Sequence, residues 1–251
     1  MVSGQHGSRC TMVFAGVTDH WPLITDHSFM PDHWPPTTDH CSAAVAYLSA
    51  RDMKLAQWIE RVGPCRMELR VEHSLFFSLL RAIVYQQLAG KAAAAILARV
   101  VALFPGHPHV LPEDITDAPD ALLRSAGLSR NKMAAIRDLA AKTLDGTVPT
   151  LAQTRRMTDQ EIIDRLVTIR GIGVWTAEML LIFRLGRPDV LPVDDYGVRK
   201  GFKMVFGKRI LPNKRQLLRR GELWRPYRSV ASWYLWRAAE AAPIVRKRPI
   251  G

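Results

Sequence analysis

Apolar residues recur at three- and four-residue steps along most of the chain beyond residue 41, the spacing of helices with one buried face. One helical stretch is expected from Ser42 to about Val62, with Val45, Leu48, Leu55 and Ile59 on or near a single stripe. A second opens near His73-Ser74 and carries Leu75, Leu79 and Ile83. Residues 91–104 form an alanine-rich helix, residues 119–126 a short one stopped by Gly127, and Ser129 caps another from Arg130 to about Leu144. Short extended pieces around 147–150 and 190–193 are the nearest thing to strands, so the fold class is all-α.

The segment 158–206 organises the rest. Ile162, Ile163, Leu166, Val167 and Ile169 give one short helix an apolar face, and Thr158 with Glu161 three residues on makes a capping box at its start. A second helix runs from Val174 to Leu185, with Ala177, Leu180, Leu181 and Leu185 on one side, closed by Gly186 and Pro188. Between them, Gly171-Ile172-Gly173 is expected to make a tight turn that a Cβ at either glycine would oppose. Such a turn presents backbone N–H groups beside a helix start and so suits a phosphate; an ordinary helix connector would read the same way. Next comes Leu191-Pro192-Val193-Asp194-Asp195-Tyr196, extended and ending in two acids, after which Val198 and Phe202 resume helical spacing. Asp195 is the expected N-cap. It could cap and do nothing else, yet a carboxylate held by helix N–H groups is also the fixed negative charge that electrostatic catalysis uses.

Charge sharpens the picture. The 251 residues carry a net +12, and 48% of them are hydrophobic, ample for a core. The first fifty residues contain one Arg against four Asp, leaving 34 basic and 19 acidic side chains, a net +15, on residues 51–251. A polyanionic partner is implied. From Arg199 to Arg220 nine Lys or Arg residues, Lys203 and Lys214 among them, occur with no acid, a run that fits nucleic acid better than a merely solvated face. Residues 1–41 lack periodicity and repeat Asp-His four times, so they are expected to be a flexible arm rather than a metal site, with residues 42–251 forming the helical domain. Cys10, Cys41 and Cys65 do not suggest a disulfide framework. Without a membrane-length apolar run or a secretory-type start, a soluble intracellular protein, at the nucleoid or in a nucleus, is expected.

The run LxxIRGIGxWTAEMxL followed by LPVDDYGVRKGF resembles the hairpin and the Gly/Pro-rich loop with terminal aspartate of the helix-hairpin-helix DNA glycosylase superfamily. Within that superfamily it is most similar to 3-methyladenine DNA glycosylase II, and the likeness extends from about Ser74 to Glu240. The C-terminal WxPYRSxAxWYLW, residues 224–236, resembles the final helix of the same enzymes. The resemblance implies two helical lobes around a cleft and a chain that acts as a monomer on duplex DNA containing damaged bases, with no metal or cofactor. Asp195 would be the catalytic carboxylate, Trp175, Trp236 and Tyr196 would line the base pocket, and Trp224 and Trp233 would be structural. Gly171, Ile172 and Gly173 would touch DNA, and the basic run supplies Lys203 and Lys214 as further candidate contacts. Gln86-Gln87-Leu88 resembles the place where relatives wedge DNA, with Leu88 as the plug and Gln87 beside it; a core leucine is the alternative.

The activity so implied is base-excision repair of alkylated bases without strand cleavage, because Trp175 stands where bifunctional relatives carry a catalytic lysine. The four-cysteine iron–sulfur signature is missing too, and Met179 replaces an aromatic of some relatives. A glycosylase for deaminated or mismatched bases, or a non-catalytic helix-hairpin-helix DNA-binding protein, are the competing expectations.

Overall fold

A computed structural model describes residues 38–241 apart from 71, 107 and 108. The described residues form helices joined by loops and contain no strand. In chain order these are α1 (Thr38–Arg51), α2 (Met53–Val62), α3 (Leu75–Tyr85), α4 (Gly90–Ala102), α5 (Pro112–Asp117), α6 (Asp120–Ser125) and α7 (Arg130–Leu144). Then follow α8 (Leu151–Thr154), α9 (Asp159–Leu166), α10 (Val174–Phe183), α11 (Tyr196–Val205), α12 (Lys214–Gly221), a 3-10 turn (Glu222–Trp224) and α13 (Arg228–Glu240).

Two helices are buried over most of their length, and each organises a lobe. Helix α3, buried from Leu75 to Tyr85 except at Phe77, packs on α4, α7 and α10; α5 and α6 pack on α7, and α9 on α10. Helix α13, buried from Ser229 to Trp236, packs on α1, α2 and α11. One lobe is therefore the middle of the chain, and the other joins its two ends. The loop from Arg184 to Asp195 leads from the first to the second. Helix α13 grips this loop: the Arg228 guanidinium donates to both Asp189 carboxylate oxygens at 2.6 and 3.0 Å, Ser229 Oγ–H donates to the Arg187 carbonyl at 2.6 Å, and Val190 N–H donates to Ser229 Oγ at 3.0 Å.

Several boundaries differ from the sequence expectation. The single stretch 42–62 is two helices broken at Asp52, and α1 begins at Thr38, inside the expected arm. The first three Asp-His pairs, Cys10 and the basic tail 246–248 lie outside the described residues. Helices α5, α8 and α12 were not anticipated; each is too short to establish an apolar period, though Pro112 at a first helical position and the Thr150/Gln153 and Asn213/Gln216 capping boxes mark them. Among the described residues no helix is long and apolar enough to cross a membrane.

Asp52 shows why the break is there. Its side chain, 1% exposed, accepts Leu55 N–H at 3.3 Å as the cap of α2. It also accepts Arg220 Nε–H and Nη2–H at 2.7 and 2.5 Å and the Trp224 indole N–H at 2.9 Å. Burial works to raise its carboxyl, but the Arg220, Trp224 and Leu55 donors outweigh it and hold the group below the usual carboxylate range. A group depressed in this way stabilises the fold above its unfolded value and ceases to do so as pH falls through its folded one, so the contribution is complete at neutral pH and lost only in strong acid. We predict that Asp52→Asn costs about 2 kcal/mol in urea unfolding at pH 7, the scale of a charge-assisted buried bond, with the difference from wild type shrinking in strong acid. An unchanged midpoint at pH 7 would show that the network is dispensable.

Candidate active site

Asp195 sits at the junction of the two lobes. It caps α11, with Val198 N–H donating to its Oδ1 at 2.7 Å. Two indoles reach it from different lobes: Trp236 Nε1–H donates to Oδ1 at 2.8 Å from α13, and Trp175 Nε1–H donates to Oδ2 at 2.7 Å from α10. All three contacts use its oxygens as acceptors, as a carboxylate offers them. The side chain is 4% exposed and fixed in place. Asp194 points elsewhere, pairing with Lys214 at 2.5 Å on the surface.

The aromatic residues divide by exposure. Trp175 is 41% exposed and Tyr196 59%, so both present ring surface beside Asp195. Trp236, expected as a pocket wall, is 5% exposed and packs on Phe183 at 5.6 Å between centroids, so little of its ring is left to face a base. Its indole edge serves the aspartate. Trp224 is fully buried and Trp233 nearly so.

The hairpin is braced rather than merely connected. The turn after α9 donates Arg170 N–H to Asp138 Oδ2 at 2.7 Å, and Lys142, which pairs with Asp138, also donates to the Thr168 carbonyl. Gln86 Nε2–H donates to the Gly171 carbonyl at 2.8 Å, tying the segment after α3 to the turn. Lys132 of α7 donates to the carbonyls of Val84 and Gln86, so one helix supports both pieces. Gly171 has φ of 80°, the left-handed conformation that favours glycine. Gly173 does not: its φ is −101°, and a Cβ there would meet nothing within 4 Å. The turn itself therefore does not demand a glycine at 173, contrary to expectation. What a side chain there would obstruct is an approach from outside. Ile172, grouped with the DNA contacts, has its side chain buried in the core, so it can offer only backbone. Gly173 stands at the N-cap of α10 and has no side chain to cap it, leaving the helix's first N–H groups without intrahelical partners beside exposed Val174 and Trp175.

Gln87 is exposed and is the one non-glycine among the described residues at positive φ, 57°. Leu88 beside it is half-buried against the core. Of the nine basic residues from Arg199 to Arg220, two are neutralised locally, Arg220 by Asp52 and Lys214 by Asp194. Arg199 donates to the Pro212 carbonyl. Lys203, in the last turn of α11, has no acidic partner among the described residues.

One group escaped the sequence reading. Glu178 is the sole charged residue in Val174–Phe183 and lies three residues after Trp175, hence on the same side of α10. Burial, with the charges of Asp194 and Asp195 beside it, pushes its carboxyl up to about 7 against an opposing pull from Lys214. The signal was a lone acid in an otherwise apolar helix.

Comparison with known proteins agrees with this arrangement. A family model described as HhH-GPD superfamily base excision DNA repair protein matches residues 80–226. The chain is 36% identical over 204 residues to DNA-3-methyladenine glycosylase 1 of Schizosaccharomyces pombe, covering 81% of this chain and 90% of that protein. The crystal structure of DNA-3-methyladenine glycosidase from Bacillus halodurans superposes with a TM-score of 0.72 at 38% identity, covering 78% of this chain and 88% of that one. The S. pombe 3-methyladenine DNA glycosylase in complex with abasic DNA superposes with a TM-score of 0.68 at 35% identity, covering 80% and 98%. With the hairpin, the loop and its terminal aspartate all in place, the chain belongs to the HhH-GPD superfamily of base excision DNA repair proteins, in its 3-methyladenine DNA glycosylase branch.

Proposed function

We propose that this protein is a monofunctional DNA glycosylase that hydrolyses the N-glycosidic bond of alkylated bases, of the 3-methyladenine and 7-methylguanine type, in duplex DNA. The observation that carries the reading is Asp195, a buried carboxylate fixed by three N–H donors from two lobes and flanked by an exposed tryptophan. The relatives' names point the same way.

A base stacked in a duplex is beyond the reach of such a group and has to be flipped out. The uncapped start of α10 offers N–H groups for a backbone phosphate, with Gly173 leaving room for it, and Lys203 and Lys214 add cationic contacts. Gln87 and Leu88, on the segment tied to the same turn, would fill the gap left in the stack. Trp175 and Tyr196 would receive the base. An alkylated ring carries positive charge, so an aromatic face attracts it, by about 0.5 to 2 kcal/mol per ring. It also departs as a neutral molecule and needs no strong general acid, so one carboxylate serves where ordinary glycosidases use two. Asp195 stabilises the positive charge that develops on the sugar as the bond breaks.

At the position of the bifunctional relatives' lysine the chain holds Trp175, whose indole nitrogen is engaged with Asp195, so no amine is available there to form a Schiff base. The experiment is incubation with methylated and with hypoxanthine-containing duplexes, assay of the free base, and borohydride trapping. Methylated base should be released, the abasic strand should remain intact, and no covalent adduct should form. A trapped adduct would overturn the monofunctional assignment, and failure to release methylated base would overturn the substrate class.

A further inference from the structure

Asp195 is well placed to oppose a positive charge but poorly placed to take a proton. Its Oδ1 accepts two N–H bonds and its Oδ2 a third, at 2.7 to 2.8 Å, and all three weaken if the carboxylate becomes a neutral acid. Hydrolysis nevertheless releases a proton. The glycosidic C1′–N bond breaks with its electron pair going to the cationic base, which leaves neutral; a water oxygen bonds to C1′, and one of its hydrogens must go elsewhere.

We propose that Glu178 is the proton acceptor of this site, taking the hydrogen of the attacking water while the Asp195 oxygens keep their three N–H donors and face the sugar. This rests on the glycosylase reading above. Glu178 stands one turn along α10 from Trp175, the residue that holds Asp195 Oδ2, and on the same side of that helix. It is half-buried, and among the described residues its carboxyl has neither a hydrogen bond nor an ion pair, so both oxygens are available to water. The charged groups that act on it are Asp194 and Asp195, which oppose its ionisation, and Lys214, which favours it. A carboxyl raised to about 7 is a far better proton acceptor than an ordinary one and still ionises near neutral pH, the compromise general-base catalysis favours. Lys214, paired to Asp194, then tunes the site as well as any phosphate.

The test is single-turnover release of 3-methyladenine from a methylated duplex, from about pH 5.5 to about pH 8.5, the span around a base poised near neutrality. Wild type should speed up with rising pH and level off above the ionisation of Glu178. Glu178→Gln should be slower on the plateau by on the order of 10²-fold and lose the pH dependence, while Glu178→Asp should keep a titrating step at an intermediate rate. Glu178→Gln should melt at pH 8 no lower than wild type, since it removes a carboxylate whose ionisation burial opposes, and should bind an abasic-analogue duplex as wild type does. A Glu178→Gln profile that matches wild type overturns the proposal, as does a wild-type rate that falls through neutrality, which would make Glu178 an acid. If wild type releases no methylated base at any pH, the glycosylase reading fails; if it releases base with a flat profile, only the role of Glu178 does.

Discussion

Replacing Asp195 by Asn should abolish release of methylated base while leaving the fold and the affinity for abasic-analogue DNA nearly intact. Asn is as good an N-cap as Asp, so the Val198 N–H contact survives and α11 keeps its start. The Trp236 and Trp175 indoles approach opposite oxygens, and an amide can satisfy only one of them, turning its NH2 against the other. The larger loss is the charge. It acts on a sugar cation that exists only near the transition state, so its removal appears in the rate and not in binding. A drop of at least about 10³-fold in single-turnover rate is expected, the upper end of what losing one preorganised electrostatic group costs. Asp194→Asn should stay within a few-fold of wild type, since Asp194 lies on the surface paired with Lys214. Equal losses in the two variants would mean that the wrong aspartate has been assigned.

The second large effect is structural. At Gly201, in the middle of α11, a Cβ would lie 1.8 Å from the Leu235 carbonyl oxygen and 2.5 Å from its carbon. Both are backbone atoms of α13, and no rotamer change can move them. One turn earlier, a Cβ at Gly197 would press on the Trp236 ring at 2.7 Å. Glycine at both places lets the two helices approach closely enough for Trp236 to reach Asp195. Gly201→Ala must push α11 off α13, and the expected loss is about 3 kcal/mol or more, at or above the usual range for overpacking a filled core. Urea unfolding measures this directly. The variant should also lose activity at temperatures where it remains folded, because Leu235 and Trp236 are adjacent in sequence and the indole moves with the helix. A variant within about 0.5 kcal/mol of wild type, the range of an ordinary surface substitution, would show that the contact relaxes without cost.

What the sequence determined by itself is local. The Ser129 and Thr158 caps and Asp195 as the cap of α11 depend on residues within four positions of one another, and all three are found where those residues predict. The ordered motifs from the hairpin to the last tryptophan were legible for the same reason. Asp52 was not, because its partners Arg220 and Trp224 lie more than 160 residues away, and a helix break looks alike whether or not an ion pair is buried in it. Gly201 was read within a motif, but the need for it lies in the backbone of a helix that no local pattern brings near. Tertiary structure likewise separated Gly171, which the turn holds at a positive φ, from Gly173, which the turn itself does not require. It also turned Trp236 from an expected wall into a clamp on Asp195, and a run of nine basic residues into a mixture of paired and unpaired charges. Periodicity and capping are fixed by covalent neighbours. Which carboxylate gains donors and which loses solvent depends on residues that meet only when the two ends of the chain close around α13.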